Sequence, residues 1–447
     1  MINCPTDLTA WDIQRTNRAY ESGETTPTII IEEHLERIAE LNPVLNAFIF
    51  VELETSRKEA LASTLRFKER KHRSLLDGVP IALKDNIDVA GTLTTNGSSK
   101  ARQVDADAVV TSRLREAGAV ILGKLNMDEG ALGATTNNPH HGPTYNPWRE
   151  GYSAGGSSGG SAAAVSAGLV MAALGTDTLG SVRIPAAYCG IIGFKPTKNL
   201  IDMSGIMPLF PTLDHVGPLC RSTEDIIAIM PVLTDTYVAE TLSSSPFFSR
   251  IGVVDKLPPH ICDESVLEAY KKNIHELSAT CESTVFVSLE GIDFQLLRRH
   301  ALIAIEAEAA KALAPTWNTP PYAYSRNFRE MLAFGRGAKP TRVRSALQAM
   351  NETGELIRSL FSEIDFLVMP STPQLAHALD TPTSGNQGDL TGLANMAGCP
   401  AIVIPTGLAS SGLPTSLQIL AAPGRDYELL NWAQRIASTW KPIFPPL

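Results

Sequence analysis

Gly78-Val79-Pro80-Ile81-Ala82-Leu83-Lys84-Asp85-Asn86 sets five apolar residues between a glycine and a polar turn. A short apolar run bounded in this way reads as a buried strand, with Lys84 at its end. Downstream, residues 107–116 read as a helix and 119–122 as a second strand. Upstream, Ile29, Ile30, Ile31, Leu35, Ile38 and Leu41 mostly follow helical spacing behind a Thr26-Pro27 start, and residues 52–71 read as a more exposed helix. Helices alternating with buried strands predict an α/β fold: a central mixed, largely parallel twisted sheet covered by helices on both faces.

Beyond this region the composition changes twice. Glycine, serine and alanine predominate over 151–193, yet apolar runs at 162–165, 169–174 and 191–194 are woven through, which excludes a flexible linker. Over 240–340, residues 243–249 are loop-like, 265–277 and 296–313 are helical, and 315–324 is rich in proline and aromatics. This segment reads as a helical insertion or lid on the core. Strand-like runs return at 365–369 and 400–405. The expectation is one large domain over 1–447, with core motifs at 75–225 and 360–430 and a variable helical insertion at about 240–355.

Composition narrows the function. Of 447 residues, 44% are hydrophobic and 19% charged, which suits a large buried core and excludes disorder. A net charge of −9 gives no electrostatic basis for nucleic acid, and the basic stretch 66–73 is interrupted by Glu69, as at a solvated helix end. Residues 1–16 lack a basic-then-apolar leader pattern, and the most apolar stretch, 162–174, is shorter than the roughly 20 residues a membrane span needs. The six cysteines are scattered without a C-x-x-C pair, so free thiols in a reducing cytoplasm are expected. The one adjacent histidine pair, His140–His141, sits in a loop between Pro139 and Gly142. No metal and no cofactor is expected.

Three motifs carry chemistry. Residues 155–161 read G-G-S-S-G-G-S, a loop of bare N–H groups that could cradle phosphate, but it has no lysine. A near match to the phosphate-loop pattern at 118–124 has Leu125 after its lysine and a strand-like interior. Residues 175–183 read G-T-D-T-L-G-S-V-R, where Ser181 lies either as a capping serine or as a nucleophile among converging N–H donors. Lys84, behind five apolar residues, is either paired with Asp85 or desolvated into a base from its usual pKa of about 10.4. A serine nucleophile needs a base, no histidine lies in a comparable glycine-rich setting, and neutral lysine is the alternative.

Taken with G-F-K-P-T at 193–197, L-D-H-V-G-P-L at 213–219, A-G-C-P-A-I-V-I-P-T at 397–406 and G-L-P-T-S-L-Q-I-L at 412–420, these motifs resemble the amidase signature family over most of the chain except about 235–360. The resemblance implies an amidohydrolase in which Ser181 is the acyl-enzyme nucleophile, Ser157 the bridging serine behind a cis peptide bond, and Lys84 the base. It implies an oxyanion hole from the N–H groups of Thr178, Leu179, Gly180 and Ser181, an Asp177–Arg183 ion pair behind that loop, and an acyl pocket shaped by Ala131 and Leu132. Leu179 departs from a position where the family commonly has glycine, which implies an allowed dihedral or a narrower pocket. The substrate class implied is a small carboxylic or urea-derived amide. The alternatives are the glutaminase subunit of a tRNA-dependent amidotransferase and an inactive binding or scaffold protein. Arg326, Arg329, Arg336, Arg342 and Arg344 could clamp an anionic substrate or coat an exposed helix. No nucleic acid or membrane partner is expected, and a homodimer is one option the resemblance leaves open.

Overall fold

The computed structural model describes residues 11–234, 250–278, 283–314, 323–382 and 385–447. The expected loop at 243–249 and most of the proline-rich segment at 315–324 lie outside them. Among the described residues, eleven strands form the main sheet: β1 (Phe48–Val51), β2 (Pro80–Lys84), β3 (Val120–Leu125), β4 (Ala172–Asp177), β5 (Ile192–Lys195), β6 (His215–Cys220), β7 (Arg250–Lys256), β8 (Ser283–Ser288), β9 (Phe366–Pro370), β10 (Ala401–Leu408) and β11 (Pro414–Ala421). Their spatial order is β1-β3-β2-β4-β6-β5-β10-β11-β9-β7-β8.

The sheet is mixed, and the expectation of a largely parallel one holds only on its flanks. The β3–β2–β4 and β9–β7–β8 neighbours are parallel, whereas the six remaining interfaces are antiparallel. The cause lies in the connections. β4 and β5 run in the same direction, joined through α6 (Arg183–Cys189), as a strand–helix–strand unit requires. β6 then returns through a long loop and inserts between them, antiparallel to both. β10 and β11 form a hairpin. Strand periodicity in the sequence does not reveal such an insertion.

The three N-terminal helices read from the sequence begin within two residues of where it placed them, and one more, not anticipated, precedes them. α1 (Ile13–Ser22) is followed by α2 (Pro27–Leu45), where the Thr26 side chain accepts from the Ile29 N–H and Pro27 occupies the first turn, which needs no N–H partner. α3 (Leu53–Lys68) and α4 (Val109–Glu116) follow. Side chains alternate across the strands. Ile81, Leu83, Ile121, Leu174, Ile402 and Ile419 join one core with α1, α4, α7 (Thr223–Thr234) and α13 (Asp426–Ala437). Ala82, Val120, Leu122, Ala173 and Val403 face a second core with α2, α5 (Gly159–Ser166) and α6. A third core covers Leu367, Met369 and Leu420 beneath α9 (Phe294–Ala312), α10 (Arg326–Gly337), α11 (Pro340–Leu360) and the short α12 (Gly392–Met396).

The insertion is helical where expected, with α8 (Glu264–Ser278) before the α9–α11 layer. It also contributes β7 and β8, so it extends the sheet in addition to covering it. Ile251, Val253 and Val254 supply the apolar strand that a helix-centred reading of this segment passes over. The α9–α10 contact is close: a Cβ on Gly335 would lie 2.0 Å from the Glu306 carbonyl oxygen. Gly335→Ala should therefore force α10 off α9 and cost about 1–3 kcal/mol, read as a lowered urea midpoint with unchanged slope. An unchanged midpoint would show that the two helices separate freely.

Candidate active site

Lys84 ends β2 on the face shared with α5 and α6, and its side chain is fully buried. Asp85 does not neutralise it. That carboxylate turns away, pairing with the buried Lys124 at 3.3 Å and accepting from the Thr95 N–H. The lysine of the near phosphate-loop match is thus a structural partner of Asp85. Among the described residues Lys84 makes no ion pair. Its Nζ lies 2.7 Å from Ser157 Oγ and 2.8 Å from Thr176 Oγ1. Burial lowers its pKa to about 7, against the pull of Asp128, Asp177 and Asp214, which act without contact. At neutral pH a substantial fraction is the free amine.

Ser157 stands at the start of the turn into α5, and the Gly156–Ser157 peptide bond is cis. Its side chain is fully buried, whereas Ser181 is 9% exposed and lines a cavity of about 340 Å³. Only Ser181 is therefore reachable by substrate. The Ser158 N–H donates to the Ser181 carbonyl at 3.2 Å, which ties the two serine turns together. Ser181 Oγ makes no hydrogen bond among the described residues, to Ser157 or to any other group.

The turn after β4 is held from behind by an ion pair. Arg183 Nη2 and Nε meet Asp177 Oδ1 and Oδ2 at 2.9 and 3.0 Å, both side chains fully buried. Arg183 also donates to the Thr391 carbonyl, Gln418 and Asn395, and Asn395 donates back to Asp177. Burial raises the Asp177 pKa, but the guanidinium overcomes it and holds the carboxyl well below its ordinary value. Asp177 also accepts from the N–H groups of Gly180, at 2.8 Å, and Val182, at 3.2 Å. The Gly180 N–H, which the resemblance counts among the oxyanion donors, is thus bonded to Asp177, since a buried carboxylate needs its acceptors filled. The N–H groups of Thr178, Leu179 and Ser181 are uncommitted among the described residues.

Ala131, at the end of a short 3-10 turn (Glu129–Ala131), and Leu132 line the cavity with Thr178 and Leu179. Leu179 has no positive φ, so the allowed dihedral accounts for its departure from glycine. Its side chain packs toward Gly388 and Gly392 and forms part of the cavity wall. Of the two readings of Arg326, Arg329, Arg336, Arg342 and Arg344, the clamp is not supported: none of the five is in the cavity lining. Arg326 pairs with Glu330 on an exposed helix face, and Arg342 lies over Phe334. The cavity's arginine is Arg298, bonded to Asp389 at 2.8 Å. His140 bonds Glu129, His141 bonds Thr95, and His215, near the turn, is pushed down to about 3 by burial. No group of three His, Cys, Asp or Glu among the described residues is placed to hold a metal ion, and Cys189, Cys220, Cys262 and Cys399 are unpaired.

Three site residues escaped the sequence reading. Thr176 accepts from both Lys84 and Asn86. Asp214 accepts from Thr178 at 2.6 Å and from the N–H groups of Leu209 and Phe210, which ties the turn after β4 to the 209–214 segment. Asp128 accepts from the N–H groups of Thr135 and Thr136 beneath the Gly156 turn. Thr176 and Asp214 lie inside quoted motifs, but nothing in their spacing says which atoms they meet.

Comparison with known proteins accounts for this arrangement. The Amidase family model matches residues 29–430. A glutamyl-tRNA(Gln) amidotransferase A-subunit from Symbiobacterium thermophilum is 35% identical over 94% of this chain and 95% of its own. A fatty acid amide hydrolase from Medicago truncatula is 30% identical over 95% of this chain and 76% of its own. A crystal structure of an amidase superposes with a TM-score of 0.89 at 31% identity, covering 96% of this chain and 100% of that one. The chain belongs to the amidase family.

Thr176→Val tests the second hold on Lys84. Losing an acceptor that favours the ammonium should lower the lysine pKa further. The acid limb of the kcat/KM profile should then move to lower pH, while the plateau falls about 10- to 100-fold. An unmoved limb would make Thr176 purely structural.

Proposed function

With amidase family membership as the premise, we propose that the chain is a serine amidohydrolase using Ser181, Ser157 and Lys84. The observation that carries this reading is a fully buried lysine, free of ion pairs and depressed to about 7, 2.7 Å from a buried serine. Ser181 Oγ attacks the amide carbonyl carbon. Its proton passes to Ser157, whose own proton passes to the Lys84 amine. The resulting oxyanion meets the N–H groups of Thr178, Leu179 and Ser181. As the C–N bond breaks, the ammonium returns a proton through Ser157 to the departing nitrogen, which leaves as ammonia or an amine. Water then attacks the acyl-enzyme, giving up its proton by the same route and releasing the acid.

The substrate reading follows from the cavity. Leu209, Phe294, Leu297, Ala301, Ile305 and Met396 make its walls mainly apolar, and its volume suits a small molecule. An amide with an apolar body of modest size fits these walls. The full-length likeness to an amidotransferase component supports a second reading, a glutaminase that delivers ammonia to a partner. The apolar lining favours the first. An inactive scaffold would have no need of a desolvated lysine with both serines in place. No helix of the described residues is long and apolar enough to cross a membrane. Measuring ammonia released from glutamine and from apolar amides separates the two enzymatic readings.

Ser181→Ala should lower kcat by roughly 10³-fold or more, and near wild-type turnover would sink the mechanism. The pH profile has a definite sign. Lys84 must be neutral to accept a proton, so kcat/KM should rise with pH, reach half its limit near 7 and level off above. Lys84→Arg stays protonated and should be inactive throughout. A profile flat from acid to alkaline pH, or an active Lys84→Arg enzyme, would contradict the role.

A further inference from the structure

One wall of the cavity is a single face of α9. Phe294, Leu297, Arg298, Ala301, Leu302 and Ile305 recur at helical spacing, five apolar side chains and one charged. Facing it, the segment at 385–391 carries Gln387 and Asp389 into the lining. That segment is fastened to the oxyanion turn, since Thr391 Oγ1 donates to the Leu179 carbonyl at 2.7 Å. Arg298 Nη1 donates to Asp389 Oδ2 at 2.8 Å, and the Asp389 side chain is only 3% exposed.

This ion pair uses one of the five guanidinium N–H groups. The others make no hydrogen bond among the described residues. Gln387, 3% exposed, likewise has no hydrogen-bond partner among them for its side-chain amide. A mainly apolar chamber thus holds donors with no protein partner among the described residues, with the arginine charge compensated by Asp389 through one hydrogen bond. The Arg298 side chain is 25% exposed, so these donors meet solvent in the open cavity, and a ligand acceptor would take the place of that water.

We propose that Arg298 and Gln387, braced by Asp389, form an acceptor-recognition subsite, so that the substrate is an amide whose apolar body carries a carboxylate or carbonyl group remote from the scissile bond. The proposal rests on the reading of Ser181 as the nucleophile facing this cavity. Arg298 and Gln387 are specificity residues: they touch the substrate without entering the reaction.

The test compares three series of increasing chain length: monoamides of straight-chain dicarboxylic acids, their methyl esters, and plain alkanamides. At the best length, kcat/KM for an acceptor-bearing amide should exceed that of the matching alkanamide about 10- to 100-fold. The acid and ester arms tell carboxylate from carbonyl. In Arg298→Leu/Asp389→Leu, which replaces both charges with apolar side chains and strands neither, that ratio should collapse towards one. Arg298→Gln, which keeps a donor toward Asp389, is the milder variant and should lose most of the ratio. Titration calorimetry on Ser181→Ala gives an independent reading: acceptor-bearing amides should bind more tightly than alkanamides. Alkanamides cleaved as well as the others by the wild type, or a ratio surviving in both variants, overturns the subsite. If no amide is hydrolysed yet Ser181→Ala still prefers acceptor-bearing ligands, the proposed function fails and the subsite stands.

Discussion

Burying an amine without a counter-ion is the constraint on which the rest of this structure turns. Lys84 is taken out of water at the end of a central strand, and its nearest neighbours are hydroxyls. With a folded pKa of about 7 against 10.5 for the free side chain, the unfolded chain binds a proton that the folded one does not. Stability therefore rises with pH across that window, and near neutrality the burial costs on the order of 4 kcal/mol. A fold built only for stability would pair the lysine with Asp85. Here Lys124 takes Asp85 instead, so the destabilised amine is kept where it can accept a proton.

A destabilised centre needs rigid surroundings, and the Asp177–Arg183 network supplies them. Arg183 links the turn bearing Ser181 to α12 through Asn395 and to β11 through Gln418, so one side chain joins three separate parts of the chain. A buried ion pair of this kind is weak evidence for stability, since both charges are desolvated. Its consequence is positional. Asp177 pulls the Gly180 and Val182 N–H groups to the rear of the turn, which leaves the Thr178, Leu179 and Ser181 N–H groups uncommitted. Asp214 steadies the same turn through Thr178.

Much of this was legible in the sequence, and the part that was legible shares a physical character. The apolar run before Lys84, the glycine-rich turns around Ser157 and Ser181, and the Thr26-Pro27 helix start are local signals, because each states what a few consecutive residues can do. What was missed depends on contacts between distant segments. The insertion of β6 between β4 and β5 is a matter of topology, and no periodicity reports it. Arg298 and Asp389 lie 91 residues apart and meet only once α9 packs over the sheet. The arginines at 326–344 attracted attention by being clustered, yet they lie outside the cavity lining.

That division separates chemistry from specificity. Lys84, Thr176, Asp177 and Ser181 come from β2, β4 and the turn after β4, and Ser157 from the turn into α5, a core that lies outside the insertion. The α9 wall comes from that insertion, and α10 packs against it at Gly335, where a side chain would meet the Glu306 carbonyl. Side chains on α9 can therefore change without disturbing the lysine's burial, whereas any change near Lys84 alters its pKa. One reaction centre can in this way be combined with different walls, because the residues that set proton affinity and those that set cavity shape belong to different packing layers. Leu179 is where the two layers touch. Its backbone belongs to the turn that carries Ser181, while its side chain is packed against the 388–392 segment, so the cavity wall also helps to hold the uncommitted N–H groups of that turn.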